Sequence, residues 1–228
     1  MPHTILVTGA SRGLGLEFVR QCRERGDRVL AVARSESADL RALAHEVIVA
    51  DVTDAYGMAR LGRALEPQSV DILINNAGVS SQAAKLEQCT PEELERVFRV
   101  NTIAPLMVVR AALPALRRGS RRLVVNISSQ LGSIANNTGG SSYPYRASKC
   151  ALNMLTVCLA NEFRPDGIAF VAMHPGWVRT DMGGPKAPLA PHESVRAMLA
   201  TIGTTPGHTL SLDHSGAFLN YDGTTLPW

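Results

Sequence analysis

The sequence lacks any run of apolar residues long enough to cross a bilayer, so we predict no membrane span. It opens with MPHTILVTGA, which has no basic stretch followed by an apolar one, and no secretory signal is expected. Only 4 of the 228 residues are cysteines, and none forms a CxxC pair. We therefore expect reduced thiols, a cytoplasmic location and no metal site.

The sequence also lacks a large excess of charge of either sign. Lysine and arginine number 23 and aspartate and glutamate 20, which leaves a formal net charge of +3. The arginines are scattered or paired and form no long basic run. Nucleic-acid binding therefore has no support in the sequence, and the predicted partner is a small molecule.

The sequence does contain a regular alternation of apolar runs with segments of helical periodicity. The predicted strands are Thr4–Thr8, Arg28–Ala33, Val47–Ala50, Asp71–Ile74, Arg122–Ile127, Ile168–Met173 and Gly216–Asn220. The predicted helices are Leu14–Arg25, Asp54–Leu65, Pro91–Leu116, Tyr145–Phe163 and His192–Ile202. This alternation predicts an α/β fold, a Rossmann-like doubly wound parallel sheet of about seven strands with helices on both faces. We expect a single domain over residues 1–228.

The longest predicted helix carries its own start signal. Thr90 is the predicted N-cap, Pro91 the first helical residue, and Glu93 the partner in a capping box. Pro105 lies inside this helix and predicts a kink or a local break there.

A glycine-rich turn, TGASRGLG, joins the first predicted strand to the first predicted helix. Gly9 allows a tight turn, Gly13 lets the backbone approach a pyrophosphate, and Gly15 lets helix and strand pack closely. The alternative is an ordinary left-handed turn, which the position between strand and helix disfavours. The predicted phosphate-binding turn also includes Ser11, Arg12 and Leu14.

Further motifs follow in order along the chain: Asp51 in DVTD, NNAG at 75–78, Asn101, Ser128–Ser129, YRASK at 145–149, and Pro175–Gly176 with Thr180. Together with the glycine turn they resemble the short-chain dehydrogenase/reductase family. The segments HPGWVRTDMGG and GAFLNYDGTTLPW are similar to its C-factor-like and sniffer-like carbonyl reductases. The resemblance implies a nicotinamide-dependent oxidoreductase and a homodimer or homotetramer.

The end of the second predicted strand indicates which nicotinamide cofactor is used. An acidic residue there would bind the adenosine ribose and favour NAD, whereas arginine suits a 2′-phosphate. This strand ends in Ala33 and Arg34 with no carboxylate, and Arg12 offers a second guanidinium. We therefore predict NADP(H), the alternative being that both arginines are merely solvated.

The resemblance also implies further contacts with the cofactor. Asp51 would meet the adenine amino group, and it could at the same time cap the following helix. Asn75 and Gly78 would form the wall beside the adenosine. The Val178 backbone and the Thr180 hydroxyl would meet the nicotinamide carboxamide. The remaining contacts expected are Val52, Ala77, Pro175 and Gly176.

Tyr145 and Lys149 lie four residues apart in a predicted helix, so their side chains share one face. A nearby ammonium should lower the pKa of the phenol and adapt it to proton transfer. The resemblance implies that Tyr145 gives a proton to the substrate carbonyl oxygen. It implies that Lys149 holds the nicotinamide ribose and that Asn101 helps to hold a relay water.

Two serines compete for the role of binding the substrate oxygen. Ser129 is preferred by resemblance, and Ser128 would point to the opposite face of the sheet if the strand continued. A long polar loop, Ala135–Ser142, separates Ser129 from Tyr145. The competing tyrosine, Tyr143, is assigned to substrate contact or loop packing.

The resemblance implies reversible reduction of a ketone, aldehyde or quinone with NADPH. The alternative is an NADP(H)-binding signalling or regulatory protein with vestigial turnover. Trp177 and Met182 are either apolar walls of an open substrate pocket or plain core residues. Trp228 is expected to dock on the body of the protein or on a partner subunit.

Overall fold

The computed structural model describes residues 2–203 and 210–228. Within them the strands are β1 (Thr4–Thr8), β2 (Arg28–Ala33), β3 (Glu46–Val49), β4 (Ile72–Asn75), β5 (Leu123–Ile127), β6 (Ala169–His174) and β7 (Phe218–Asn220). All pair in parallel in the order β3-β2-β1-β4-β5-β6-β7. The order reverses beside β1, which creates the crevice where such sheets bind ligands. The predicted Rossmann-like architecture is confirmed.

The described helices are α1 (Gly13–Glu24), α2 (Ala38–Leu43), α3 (Ala55–Leu65), α4 (Pro91–Phe98), α5 (Ala104–Arg118), α6 (Tyr143–Glu162) and α7 (Pro191–Ile202). Apolar residues of α1, α2 and α7 pack on one face of the sheet, and those of α3, α5 and α6 pack on the other. Along β1 the side chains alternate between these faces, with Ile5 and Val7 in one core and Leu6 in the other. The single domain therefore has one sheet between two helical layers.

The predicted break in the long helix is present, but it precedes the proline. Residues Arg99–Ile103 form a π-helical turn between α4 and α5. Pro105 has no N–H to donate to the carbonyl of Asn101, four residues earlier, so α-helical bonding is interrupted there. The break places Asn101 at a bend that faces α6.

The start of this helix agrees with the sequence only in part. The Thr90 hydroxyl accepts a hydrogen bond from the Glu93 N–H, as predicted for an N-cap. The capping box is wrong, because the Glu93 carboxylate instead accepts from the Gln82 N–H at 2.9 Å and from the Ser81 hydroxyl at 3.0 Å. Glu93 therefore anchors the loop that follows β4.

Among the described helices, the continuous segment Pro91–Arg118 is long and apolar enough to cross a membrane by length and composition alone. In this fold it is a core helix. Val108, Ala112 and Leu116 are at most 1% exposed and pack in the core beneath the sheet. Its apolarity is thus accounted for by burial in the domain.

Candidate active site

The glycine turn between β1 and α1 has the geometry that its sequence predicts. Gly9 and Gly13 have φ angles of +66° and +54°, which few other residues adopt. A Cβ on Gly15 would lie 2.1 Å from the Gly9 carbonyl oxygen, so strand and helix approach too closely for any side chain. Arg12 is the N-cap, gives no side-chain cap, and is followed by a first turn without acidic residues. The free N–H groups of α1 are therefore suited to an anion.

Asn76 and Thr8 hold this turn against the end of β4, and neither was singled out from the sequence. The Asn76 amide donates to the carbonyls of Thr8 at 3.0 Å and Gly9 at 3.2 Å. The Thr8 hydroxyl accepts from the N–H groups of Asn76 and Ala77. The second asparagine of the NNAG motif was the signal that could have identified this link.

The two arginines expected at a 2′-phosphate are both exposed, but their surroundings differ. Arg12 donates to the Asp181 carboxylate at 2.9 Å. Arg34 follows β2 and is exposed, and its charge contributes to lowering the pKa of Asp51. The larger cause of the lowered pKa of Asp51 is a hydrogen bond from the Thr53 hydroxyl at 2.7 Å.

Asp51 does not cap α3, which excludes one of its two predicted roles. The N-cap is Asp54, whose carboxylate accepts from the Gly57 N–H. Asp51 instead binds Thr53 and lies beside the partly buried Val52 at the end of β3. Its position at the carboxyl edge of the sheet remains compatible with an adenine contact.

Asn75 is directed into the protein rather than toward the crevice. Its side chain is 2% exposed and donates to Asn126 at 2.9 Å and to the Pro105 carbonyl at 3.3 Å. Its Oδ1 has no hydrogen-bond partner among the described residues. A cofactor contact by Asn75 would therefore have to be made by its backbone.

Asn101 fixes the loop after β4 against α6. Its side chain accepts from the Val79 N–H at 2.8 Å and donates to the Val79 carbonyl at 2.9 Å and the Ser148 hydroxyl at 3.1 Å. A Cβ on Gly78 would lie 3.4 Å from Asn101 Oδ1 and 3.8 Å from Lys149 Nζ. Gly78 thus lies between the bend in the long helix and the predicted proton-transfer pair.

Tyr145 and Lys149 lie one turn apart on α6, as predicted. Lys149 Nζ is 5.9 Å from the centre of the Tyr145 ring and donates to the Ile127 carbonyl at 2.8 Å. The lysine is 5% exposed, and burial lowers its pKa to about 8. At neutral pH Lys149 is therefore still protonated in most of the molecules.

The expected effect of Lys149 on Tyr145 is not present in the structure. Burial raises the pKa of Tyr145, and the opposing influence is a hydrogen bond with Ser129 rather than the ammonium. The hydrogen bond shown for Lys149 Nζ goes to the Ile127 carbonyl. Tyr145 is therefore a neutral phenol at pH 7, the form that can donate a proton.

The structure separates the two competing serines. The Ser128 hydroxyl is buried and donates to Asn153 Oδ1 at 2.6 Å. The Ser129 side chain accepts from the Leu131 N–H at 3.1 Å and hydrogen-bonds with Tyr145. Of the two serines, Ser129 is the one that acts on the pKa of the tyrosine, whereas Ser128 fixes the end of β5 to α6.

The segment after β6 closes the site from the other side. Gly176 has a φ angle of +84°, and the Thr180 hydroxyl accepts from the Gly183 N–H at 3.2 Å. A Cβ on Gly13 would lie 3.6 Å from Thr180 Cγ2, so this segment approaches the glycine turn. Thr180 thus lies beside the glycine turn, whereas the contacts expected of Pro175, Gly176 and Val178 stay predictions.

Trp177 and Met182 are not core residues, which excludes one of the two alternatives for them. Their side chains are 55% and 48% exposed. The Trp177 indole donates to the Gly183 carbonyl at 2.8 Å, which fixes an exposed aromatic surface. Trp228, in contrast, docks on the body as predicted, with its ring 5.3 Å from that of Phe218 and its carbonyl accepting from the Ala135 N–H.

These features together fit a dinucleotide. An uncapped helix N-terminus meets a turn of glycines, exposed arginines follow β1 and β2, and a buried lysine and a neutral phenol lie on α6. Such a site at the carboxyl edge of a doubly wound sheet defines a Rossmann-like dinucleotide-binding protein.

Comparisons with known proteins specify the family. The family model described as short chain dehydrogenase matches residues 3–188, and the chain belongs to this oxidoreductase family. It is 47% identical to the C-signal of Myxococcus xanthus over 159 residues, 70% of this chain and 93% of that protein.

Solved structures resemble the whole chain. The carbonyl reductase Sniffer of Drosophila melanogaster is 31% identical, with a TM-score of 0.87 and 100% of both chains covered. The NADPH-bound carbonyl reductase from chicken fatty liver is 36% identical, with a TM-score of 0.88 and coverage of 100% of this chain and 99% of that one. The resemblance to sniffer-like carbonyl reductases is thereby confirmed, and the second structure holds the cofactor that the sequence predicts.

Proposed function

We propose that this protein is an NADP(H)-dependent carbonyl reductase that reduces a ketone, aldehyde or quinone and can run in reverse as an alcohol dehydrogenase. The observation that carries the proposal is the meeting of Ser129, Tyr145 and Lys149 beside Gly78 at the crevice. The similarity to carbonyl reductases supports the substrate class.

The chain's own residues provide the proton and the orientation. NADPH, when bound, supplies a hydride to the carbonyl carbon. Tyr145 is placed to give its phenolic proton to the carbonyl oxygen, and the Ser129 hydroxyl to hydrogen-bond the same oxygen. The raised pKa of Tyr145 keeps this proton on the phenol at neutral pH, which favours the reductive direction.

Lys149 and Asn101 would return the proton to Tyr145. The Lys149 ammonium is placed to hold the nicotinamide ribose hydroxyls, and its lowered pKa lets it exchange a proton near neutral pH. The carbonyl of Asn101 lacks an α-helical donor because residue 105 is proline, so it can accept from a water. This water would connect Lys149 to solvent.

The preference for NADP(H) rests on Arg12 and Arg34 and on the absence of a carboxylate after β2. Both guanidiniums are exposed at the adenosine end and suit a 2′-phosphate. The remaining predicted contacts, from Asp51 and Val52 to Val178 and Thr180, would follow the crevice from the adenine end to the nicotinamide end of the bound cofactor.

The exposed Trp177 and Met182 would form apolar walls of an open pocket that accepts varied carbonyl compounds. On α6, Met154 is 64% exposed and Cys158 is also exposed, and this face would join subunits of a homodimer or homotetramer. We place the protein in the cytoplasm.

The direct test is NADPH oxidation with a panel of quinones, diketones and aldehydes, with NADH in parallel. We expect turnover with NADPH and a weaker reaction with NADH. In Arg34→Ala this preference for NADPH over NADH should be lost. Equal use of both cofactors, unchanged in Arg34→Ala, would contradict the cofactor assignment.

A second candidate function is a signalling or regulatory protein that binds NADP(H) with vestigial turnover. The similarity to the C-signal favours it. Tight NADPH binding with no turnover across the panel would support this candidate over the reductase.

A further inference from the structure

The contact between Arg12 and Asp181 links two segments that border the cofactor crevice. Arg12 Nη1 lies 2.9 Å from Asp181 Oδ2, although 169 residues separate them. Arg12 is the N-cap of α1, and Asp181 directly follows Thr180, whose side chain approaches Gly13. A carboxylate therefore stands at the arginine that the proposed function assigns to the 2′-phosphate.

We propose that Asp181 determines how tightly NADPH binds by competing with its 2′-phosphate for Arg12. This inference rests on the proposed cofactor. A guanidinium binds a phosphate best through two parallel hydrogen bonds, and the edge that faces Asp181 is not available for them. Arg12 would exchange one anionic partner for another when NADPH binds.

The exposure of both side chains makes this exchange feasible. Arg12 is 73% exposed and Asp181 81% exposed, so neither is locked in place by packing. In the part of the chain that the structure describes, Arg12 is the hydrogen-bond partner shown for the Asp181 carboxylate. An exposed pair of this kind is weak, so a phosphate dianion can displace the carboxylate.

Removing the carboxylate should therefore strengthen NADPH binding and leave NADH almost unchanged, since NADH has no 2′-phosphate. We expect Asp181→Asn to lower the Kd for NADPH by about threefold, which corresponds to the strength of exposed ion pairs. The Kd for NADH should stay within about 1.5-fold, because its pyrophosphate would bind at the helix N-terminus and not at the Arg12–Asp181 pair.

A double-mutant cycle distinguishes this competition from a general effect of charge. Asp181→Asn would be measured in the wild-type chain and in Arg12→Ala, by quenching of tryptophan fluorescence or by calorimetry with NADPH and NADH. Glu162→Gln is the matched control, since it removes the same charge at the end of α6, at the opposite edge of the sheet. In Arg12→Ala the effect of Asp181→Asn should disappear.

Three results would overturn the inference. Asp181→Asn could leave NADPH affinity unchanged or weaken it, which would make Asp181 neutral or an aid to Arg12. The gain in NADPH affinity could persist in Arg12→Ala, or an equal gain could appear for NADH. Either result would indicate a general electrostatic effect of the Asp181 charge on the cofactor. Failure of the proposed cofactor is recognised separately, because the wild-type protein would then not prefer NADPH at all.

Discussion

At the scale of the residue, burial rather than a neighbouring charge determines the chemistry of the site. Lys149 and Tyr145 are both buried, and burial shifts the pKa of each side chain in the direction that favours its neutral form. The sequence could predict that the two side chains share a helix face. It could not predict their burial or the direction of Nζ toward Ile127, since both depend on packing across the sheet.

The lowered pKa of Lys149 gives carbonyl reduction a defined pH dependence. The ammonium is present below its pKa of about 8 and is lost above it. We expect kcat/KM for reduction to be flat below pH 8 and to fall by about tenfold per unit above it, while Tyr145 stays protonated. Initial rates with NADPH from pH 6 to 10 measure this, and a profile that is flat to pH 10 would contradict the role of the ammonium.

At the scale of the element, periodicity predicted the long segments well and the short ones poorly. The β1 and β2 strands have the predicted bounds, and the other five strands shift by one or two residues at one or both ends. Helix α2 was missed because six residues are too few to show a helical period. Helix α6 begins at Tyr143 rather than Tyr145, because a proline is tolerated in the first turn of a helix.

The break between α4 and α5 can be tested through Pro105. In Pro105→Ala the new N–H can donate to the Asn101 carbonyl, where it would compete with the relay water proposed for this acceptor. We expect kcat to fall by about tenfold while the Kd for NADPH stays within about twofold. Pro114→Ala is the control, since Pro114 lies in the same helix without a predicted site residue four positions earlier. Equal kcat values for both variants would show that the break is not needed for turnover.

At the scale of the whole molecule, the sequence predicted the layers and the sheet because alternating buried runs permit few other arrangements. The contacts that join distant segments were beyond it. Asn76 binds the glycine turn 67 residues earlier, and Arg12 binds Asp181, and no local pattern connects such pairs. The choice between Ser128 and Ser129 likewise needed the position of α6.

His174 affects the stability of the whole fold. Burial lowers its pKa from 6.5 to about 4, and its Nδ1 has no partner in the described residues. Below pH 6.5, His174 therefore becomes protonated in the unfolded chain, whereas in the folded chain it stays neutral until about pH 4. The free energy of unfolding should therefore decrease as the pH is lowered from 6.5 to 4, and His174 should account for up to about 3 kcal/mol of this decrease. The free energy of unfolding in urea, measured from pH 4 to 7, should depend less on pH in His174→Gln than in the wild type. Parallel pH profiles for the two proteins would contradict this role of His174.

The central claim is that Tyr145 is the proton donor of an NADPH-dependent reductase, and the most direct measurement compares Tyr145→Phe with Tyr143→Phe. Both variants remove one phenolic hydroxyl near the start of α6. For Tyr145→Phe we expect kcat to fall by at least about a hundredfold while NADPH still binds. Tyr143→Phe should retain turnover, with any effect limited to KM. Turnover that survives in Tyr145→Phe, or is lost in Tyr143→Phe instead, would contradict the claim.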